Sequence, residues 1–277
     1  MNLNITQLGL GMLIAVVIAS LAFKYKLLSK SGSLAAFLLG SVVFGLGGLT
    51  WSIVLMVFFL TSSGLSYIFK SRKAAAEEKY AKGSVRDYRQ VLANGGLAGL
   101  FVFLFLFIPQ SPVPWLGFCA ALAAANADTW ATELGSLSKR NPVLISTLKP
   151  VECGTSGGIS LFGLAASFLG SLVIACAGIL FTPAGLTIEP WLFVLAVALG
   201  GFAGSLADSW VGATLQAIYF CPQCTRETEK HPRHGCGTET QLLRGRHWMT
   251  NDLVNLLCTL KGAGAAIVIV ALLQLIP

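Results

Sequence analysis

The chain is built from long apolar runs separated by short polar connections, and this pattern leaves few possible folds. A membrane-spanning helix needs about 20 mostly apolar residues. Runs near or above that length lie at residues 5–23, 34–49, 51–69, 91–108, 115–137, 159–181, 191–220 and 254–276. Hydrophobic residues make up 55% of the sequence and charged residues 11%, which excludes an ordinary soluble domain. The sequence therefore predicts an all-α integral membrane protein, a polytopic helical bundle of about seven to eight spans, with the second span short enough to be re-entrant.

The connections are too short to separate two domains, so residues 1–277 are predicted to form a single membrane domain. The N-terminus has neither a basic segment nor a small-residue cleavage site. The first apolar run is therefore predicted to be a retained span and not a cleaved signal peptide.

Apart from Lys261, lysine and arginine occur only in alternate connections. They follow the first, third, fifth and seventh runs, whereas the connections near residue 48 and at 109–114 and 182–190 contain none. Positive charge marks the cytoplasmic side, so the basic loops are predicted to be cytoplasmic, in an inner or plasma membrane, with both termini outside. The net charge of +7 is then mainly a topology signal and not a sign of nucleic-acid binding. It can also attract membrane lipids or a phosphorylated substrate.

The fifth run places Asn126, Asp128 and Glu133 at membrane depth. Ionisable groups there are costly, so they face protein-lined cavities and are functional by default; these three are predicted to be catalytic. At about 100° per residue, Asn126 and Glu133 share one helix face and Asp128 lies on another. Either the helix kinks or it serves two surfaces. Polar packing between helices is the alternative, and it suits Asn126 best.

The seventh run contains Asp208 among small residues, with Ser205 on the same helix face. Small residues let helices approach closely. The fifth and seventh runs both end on the basic side, so Asp128 and Asp208 together predict a catalytic Mg²⁺ site that also binds phosphate oxygens. A proton or Na⁺ relay would use the same residues.

A glycine-rich segment at residues 153–160 precedes the sixth run. Its glycines can bring backbone N–H groups together in front of the positive end of the following helix. This predicts a phosphate-binding loop, with Lys149 nearby, although glycine-rich helix starts are also common in packing. The predicted binding residues are Gly154, Thr155, Ser156, Gly157 and Gly158.

Polar groups flank the fourth run at the same end. Arg86 and Arg89 can bind phosphate bidentately, or they can simply mark the cytoplasmic side. Asn94 is predicted to lie just inside the membrane, where an amide suggests substrate binding.

The last run begins with a second polar cluster, Asn251, Asp252 and Asn255, which predicts a metal or nucleotide contact. Residues 262–276 would rise only about 22 Å as a helix, less than the ~30 Å hydrocarbon core. The helix must therefore begin before Lys261. This lysine either faces a substrate phosphate or extends its amine to the membrane interface.

Residues 221–248 form a predicted cytoplasmic loop rich in cysteine and histidine. Cys221 and Cys224 form a Cys-x-x-Cys pair, the usual first half of a tetrahedral zinc site, and His234 and Cys236 can complete it. Four such ligands would close the coordination shell, so the predicted Zn²⁺ is structural. A redox pair and incidental thiols are the alternatives; a reducing compartment disfavours a disulfide.

Several segments together resemble one integral membrane family, and the resemblance extends from about Lys24 to the C-terminus. They are RD at 86–87 with QVLANGG at 90–96, NADTWATELG at 126–135, GTSGG at 154–158, GSLADS at 204–209, the Cys/His loop, and Trp248 with NDLVN at 251–255. The family was long catalogued only as a domain of unknown function. Its best-understood plant and cyanobacterial members are phytyl-phosphate kinases of the vitamin E and phylloquinone salvage route. Ser156 stands where the family commonly has Asn.

The resemblance implies transfer of a phosphoryl group from CTP or ATP to an isoprenoid monophosphate, phytyl or another prenyl phosphate, giving the diphosphate. Such transfer needs positioning and charge neutralisation, which Mg²⁺ on Asp128 and Asp208 with nearby basic groups would supply. Glu133 would be a second metal ligand or would orient one. Two rival hypotheses are a CTP-dependent cytidylyltransferase of a lipid phosphate and a cation-coupled transporter using the intramembrane carboxylates.

Overall fold

The structure is a computed structural model that describes residues 5–69, 83, 85–138 and 140–274. In these residues it contains eight α-helices, which confirms the all-α prediction. They are α1 Ile5–Lys24, α2 Lys30–Val42, α3 Leu49–Ile68, α4 Tyr88–Phe107, α5 Val113–Gly135, α6 Leu161–Leu180, α7 Pro190–Thr214 and α8 Asn251–Gln274. Six basic residues used for the topology prediction lie outside the described residues: Lys70, Arg72, Lys73, Lys79, Lys82 and Lys139.

Seven of the described helices are long and apolar enough to cross a membrane. The second of them comprises α2 and the π-helical turn Val43–Gly47 that continues it, 18 residues in all. Helix α8 begins at Asn251, before Lys261, as its length required. The run at residues 191–220 is divided, because α7 ends at Thr214 and a strand begins at Ile218.

Helix α5 is not among those seven, yet it lies at the centre of the bundle. Every residue from Pro114 to Ala127 is buried, and α5 packs against α3, α4, α6, α7 and α8. A helix enclosed by other helices does not need an apolar surface toward lipid. This position explains how α5 accommodates Asn126, Asp128 and Glu133.

Small residues bring α7 and α8 close to α5. A Cβ atom on Gly204 of α7 would lie 2.7 Å from the Cβ atom of Ala124 on α5, and one on Gly262 of α8 would lie 2.6 Å from the same atom. Glycine at these positions lets the backbones approach. The helix that contains Asp208 is thereby held against the helix that contains Asp128.

Two small antiparallel sheets lie at the end of the bundle where α3, α5 and α7 end and α4, α6 and α8 begin. In the first, β1 (Val143–Leu144) pairs with β2 (Gly158–Ile159). In the second, β3 (Ile218–Cys221) lies between β4 (Arg226–Thr228) and β5 (Gln241–Arg244). The Cys/His loop is therefore a folded unit seated on the bundle.

Candidate functional site

A cavity of about 610 Å³ opens at this end of the bundle, between the helices and the two small sheets. Most of the predicted site residues line it. They are Arg86, Arg89, Asn94, Asp128, Glu133, Gly154, Thr155, Ser156, Gly157, Gly158, Ser205, Asp208, Asn251, Asp252 and Asn255. The volume is within the range of small-molecule sites.

The carboxyl groups of Asp128 and Asp208 meet across the interface between α5 and α7, within hydrogen-bonding contact. Oδ2 of Asp208 is buried and has no hydrogen-bond partner in the described part of the chain. Two carboxylates this close repel each other unless a proton or a cation lies between them. The buried oxygen and the paired carboxylates therefore fit a divalent cation with oxygen ligands, such as Mg²⁺.

Asn126 and Glu133 lie on a different side of α5. Asn126 is fully buried: its side chain accepts a hydrogen bond from Thr61 of α3 (2.9 Å) and donates one to the carbonyl of Gly170 on α6 (2.8 Å). Oε1 of Glu133 accepts a hydrogen bond from Ser66 of α3 (2.7 Å). Helix α5 thus serves two surfaces, the second of the two predicted alternatives.

Three of the predicted catalytic and substrate-binding residues lie apart from the cavity lining. Asn126 makes polar packing contacts, the alternative considered for it. Lys149 is exposed outside the cavity, and Lys261 is exposed on α8 beside the buried Gly262. That position fits the interfacial alternative for Lys261 and not a substrate phosphate.

Arg86 stands between the main cavity and a second one of about 280 Å³, which Lys24 and Lys26 also line. The Arg86 guanidinium donates a hydrogen bond to Ser62 (3.2 Å). Burial lowers the pKa of Arg86, and the Glu133 carboxylate opposes that shift. Glu133 therefore helps to keep a half-buried cation at the cavity wall.

The glycine-rich loop is positioned by packing as well as by its own hydrogen bonds. Gly157 has φ 84°, and a Cβ atom there would lie 2.5 Å from the backbone N of Ala213. The amides of Thr155 and Gly158 donate within the loop, to the carbonyls of Glu152 and Thr155 respectively. The Ser160 hydroxyl caps α6 by accepting from the Gly163 amide (3.0 Å). Two of the backbone N–H groups in the predicted phosphate-binding loop are thus already used in hydrogen bonds within the loop.

The structure adds Glu229, which sequence reasoning missed. Glu229 lines the cavity and its charge acts on Asp208. Oε1 of Glu229 accepts a hydrogen bond from the Gln216 amide (2.8 Å), whose oxygen accepts one from the Ser156 hydroxyl (2.6 Å). The one sequence signal near it was its place between the predicted zinc ligands Cys224 and His234.

A group of aromatic side chains in the cavity lining was also missed. The rings of Tyr219 and His231 stack with centroids 4.3 Å apart and planes 10° apart. The ring centroids of His247 and His231 lie 6.4 Å apart, and all three residues line the cavity. Flat rings in a cavity wall suit a planar ligand such as a nucleobase.

The four predicted zinc ligands come together beside the cavity. The ligand atoms of Cys221, Cys224, His234 and Cys236 all lie within 4.8 Å of one another. Hydrogen bonds from Thr238 and His234 lower the pKa of the Cys236 thiol to about 6, whereas the hydrogen bond with Cys236 raises the pKa of the Cys224 thiol to about 11. A thiolate is the form that binds a metal.

Comparisons with known proteins agree on one family. The model of the family described as Integral membrane protein DUF92 matches residues 13–263. The chain is 33% identical over 233 residues to Protein PGR of Arabidopsis thaliana, covering 76% of this chain and 81% of that protein. It is 34% identical over 215 residues to an uncharacterized membrane protein of Methanocaldococcus jannaschii, covering 77% and 85%. It is 26% identical over 247 residues to Protein VTE6, chloroplastic, of Arabidopsis thaliana, covering 87% and 64%. No solved structure matches the chain.

Proposed function

The chain belongs to the DUF92 family of integral membrane proteins, and on that premise we propose that it is a prenyl-phosphate kinase. It transfers the terminal phosphoryl group of CTP or ATP to the phosphate of an isoprenoid monophosphate, such as phytyl phosphate. The observation that supports this function is the contact between Asp128 and Asp208 in a polar cavity at the end of a membrane bundle. A cation held by these two carboxylates would meet the phosphate of the substrate at the membrane surface, while the prenyl tail stays in lipid.

Two cavities that share a cationic wall suit two phosphorylated substrates. Arg86 and Ser66 line both the main cavity and the smaller one, and Lys24 and Lys26 add positive charge to the smaller. We assign the acceptor phosphate to the Arg86 side and the nucleotide to the main cavity. The base would then rest against the rings of His231 and Tyr219, which line the main cavity.

Asp128 and Asp208 would hold Mg²⁺, which neutralises charge on the transferred phosphoryl group when bound. Arg86 and Arg89 bind phosphate oxygens, and Glu133 orients Arg86. The acceptor is already an ionised phosphate, so the site needs no strong general base. An acceptor oxygen attacks the terminal phosphorus, the new P–O–P bond forms, and the nucleoside diphosphate leaves.

Product analysis tests this proposal. Purified protein is incubated with Mg²⁺, CTP or ATP, and isoprenoid monophosphates of several lengths, and products are identified by mass. We expect the isoprenoid diphosphate and the nucleoside diphosphate in equal amounts. A lipid product that retains CMP would identify a cytidylyltransferase instead. Cation-dependent uptake without nucleotide consumption would identify a transporter.

A further inference from the structure

We propose that Cys221, Cys224, His234 and Cys236 bind one Zn²⁺, and that this ion fixes the segment between Cys224 and His234 so that Glu229 stands beside Asp208. The zinc site is independent of the proposed function. The role of Glu229 as a positioning residue rests on that function.

The spacing of the four ligand atoms, all within 4.8 Å of one another, is close to that of a tetrahedral site. Cys221 Sγ lies 3.5 Å from Cys236 Sγ, and His234 Nδ1 lies 3.4 Å from the same sulfur. With Zn–S bonds of about 2.3 Å and Zn–N bonds of about 2.0 Å, tetrahedral geometry separates ligand atoms by roughly 3.5 to 3.8 Å. Small adjustments would therefore bring all four atoms onto one ion.

The local fold presents the ligands from two sides. Cys221 ends β3, and Cys224 lies in the turn that leads to β4, where Thr225 has φ 50°. His234 and Cys236 lie on the connection from β4 to β5, and the described cysteines form no disulfide. Four protein ligands leave no open position, so the ion is structural.

The segment that the ion would hold is too small to be rigid by itself. Strand β4 has three residues, and Arg226 and Glu227 are exposed. A unit of this size lacks a hydrophobic core sufficient for stability, and small folds commonly use a metal instead. Zinc binding at both ends of the segment would supply the missing constraint.

This segment places two residues in the cavity, Glu229 and His231. The hydrogen bond from Gln216 to Glu229 links the segment to the end of α7, the helix that contains Asp208. Glu229 thus brings a third negative charge to the Asp128–Asp208 pair. We infer that it raises the affinity of the pair for a divalent cation, both by its charge and by fixing the end of α7 through Gln216.

Metal analysis tests the zinc site. We expect about one zinc per chain in purified wild-type protein, a large loss of zinc in Cys224→Ser, and full retention in Cys176→Ser, which removes an exposed cysteine of α6 far from the cluster. Because Cys224→Ser can also impair folding, Co²⁺ substitution of the wild type supplies a second measurement. Visible bands of tetrahedral thiolate-bound cobalt support the site. Folded wild-type protein without zinc, or cobalt bound without such bands, would overturn it.

A pair of carboxamide variants tests the role of Glu229. Glu229→Gln should keep its zinc, raise the Mg²⁺ concentration needed for half-maximal turnover, and lower turnover by about 10- to 100-fold, as for other residues that orient metal ligands. Glu239→Gln makes the same charge change on an exposed part of the same loop and should leave both quantities unchanged. Unaltered Mg²⁺ dependence in Glu229→Gln would overturn the positioning role. If the wild type forms no diphosphate, the proposed function fails while the zinc measurement stands.

Discussion

At the scale of residues, the site depends on two carboxylates whose presence in membrane helices is not explained by helix packing. A single ionised side chain at the centre of a membrane helix costs about 2.5 kcal/mol or more. Asp128 and Asp208 also repel each other across the interface between α5 and α7. Replacing either by an amide would relieve that repulsion, so their presence points to a bound cation and to function.

Asp128→Asn and Asp208→Asn should each lower lipid-diphosphate formation by orders of magnitude while the protein still folds. The variants keep side-chain shape but remove one anionic ligand. A metal contributes several kcal/mol to the transition state, and ~1.4 kcal/mol is tenfold in rate. The two losses should not add, because each disables the same ion. Initial rates of the single and double variants at varied Mg²⁺ measure this.

Glu189→Gln serves as the control for these variants, because Glu189 is exposed at the opposite end of the bundle, where α7 begins. Its turnover should equal that of the wild type. Near-normal turnover in Asp128→Asn, or fully additive losses in the double variant, would contradict a shared metal site.

The residue pattern predicted part of this site and not the rest. Asp128 and Asp208 were visible because an acid in an apolar run is rare, whatever the fold. Glu229 lies in a polar loop where acids are ordinary, and only the fold-back of β4 brings it to Asp208. Asn126 satisfied the same pattern as Asp128, but a difference of two residues turns it toward α3 and α6.

At the scale of elements, close helix packing determines where the two aspartates meet. Gly200 and Gly204 on α7 face Gly262 on α8, and a Cβ atom on either α7 glycine would lie within 2.7 Å of a backbone oxygen of α8. These contacts hold α7 and α8 against the central helix. The geometry of the carboxylate pair therefore depends on residues that never touch a substrate.

Gly262→Ala should destabilise the bundle, whereas Gly264→Ala should not. At Gly262 the added methyl group would lie 2.6 Å from the Cβ atom of Ala124, while at Gly264 it would meet nothing within 4 Å. Overpacking costs about 1–3 kcal/mol, so Gly262→Ala should show a lower Tm in detergent and lower turnover. Both variants gain the same helix propensity, which makes them a matched pair. Equal Tm values for the two would contradict close packing at Gly262.

Hydropathy predicted the helices well but not all of their boundaries. Eight runs became eight described helices because a span needs a long apolar stretch. The end of α7 was missed since Ile218 and Tyr219 are apolar for a different reason: they are buried in a small sheet. Helix α5, which its neighbours enclose, is not among the seven described helices that are apolar enough to cross a membrane.

At the scale of the whole molecule, the two ends of the bundle differ in charge and in shape. The cavity, the two small sheets and the described residues Arg140, Arg226 and Arg246 lie at one end. The connections at residues 109–112 and 182–189, at the other end, contain no lysine or arginine. Nucleotides are cytosolic, so the proposed function requires the basic end to face the cytoplasm, as the positive-inside rule also predicts.

Cysteine labelling in intact cells tests this orientation. In a parent variant without the exposed Cys153 and Cys176 thiols, Arg226→Cys places a thiol beside β3, and Thr187→Cys places one in the exposed connection before α7. A membrane-impermeant maleimide should label position 187 from outside and reach position 226 only after the cells are permeabilised. The parent variant measures labelling of the remaining cysteines. Labelling of position 226 in intact cells would put the cavity on the side without nucleotides, and the kinase proposal would fail with the topology.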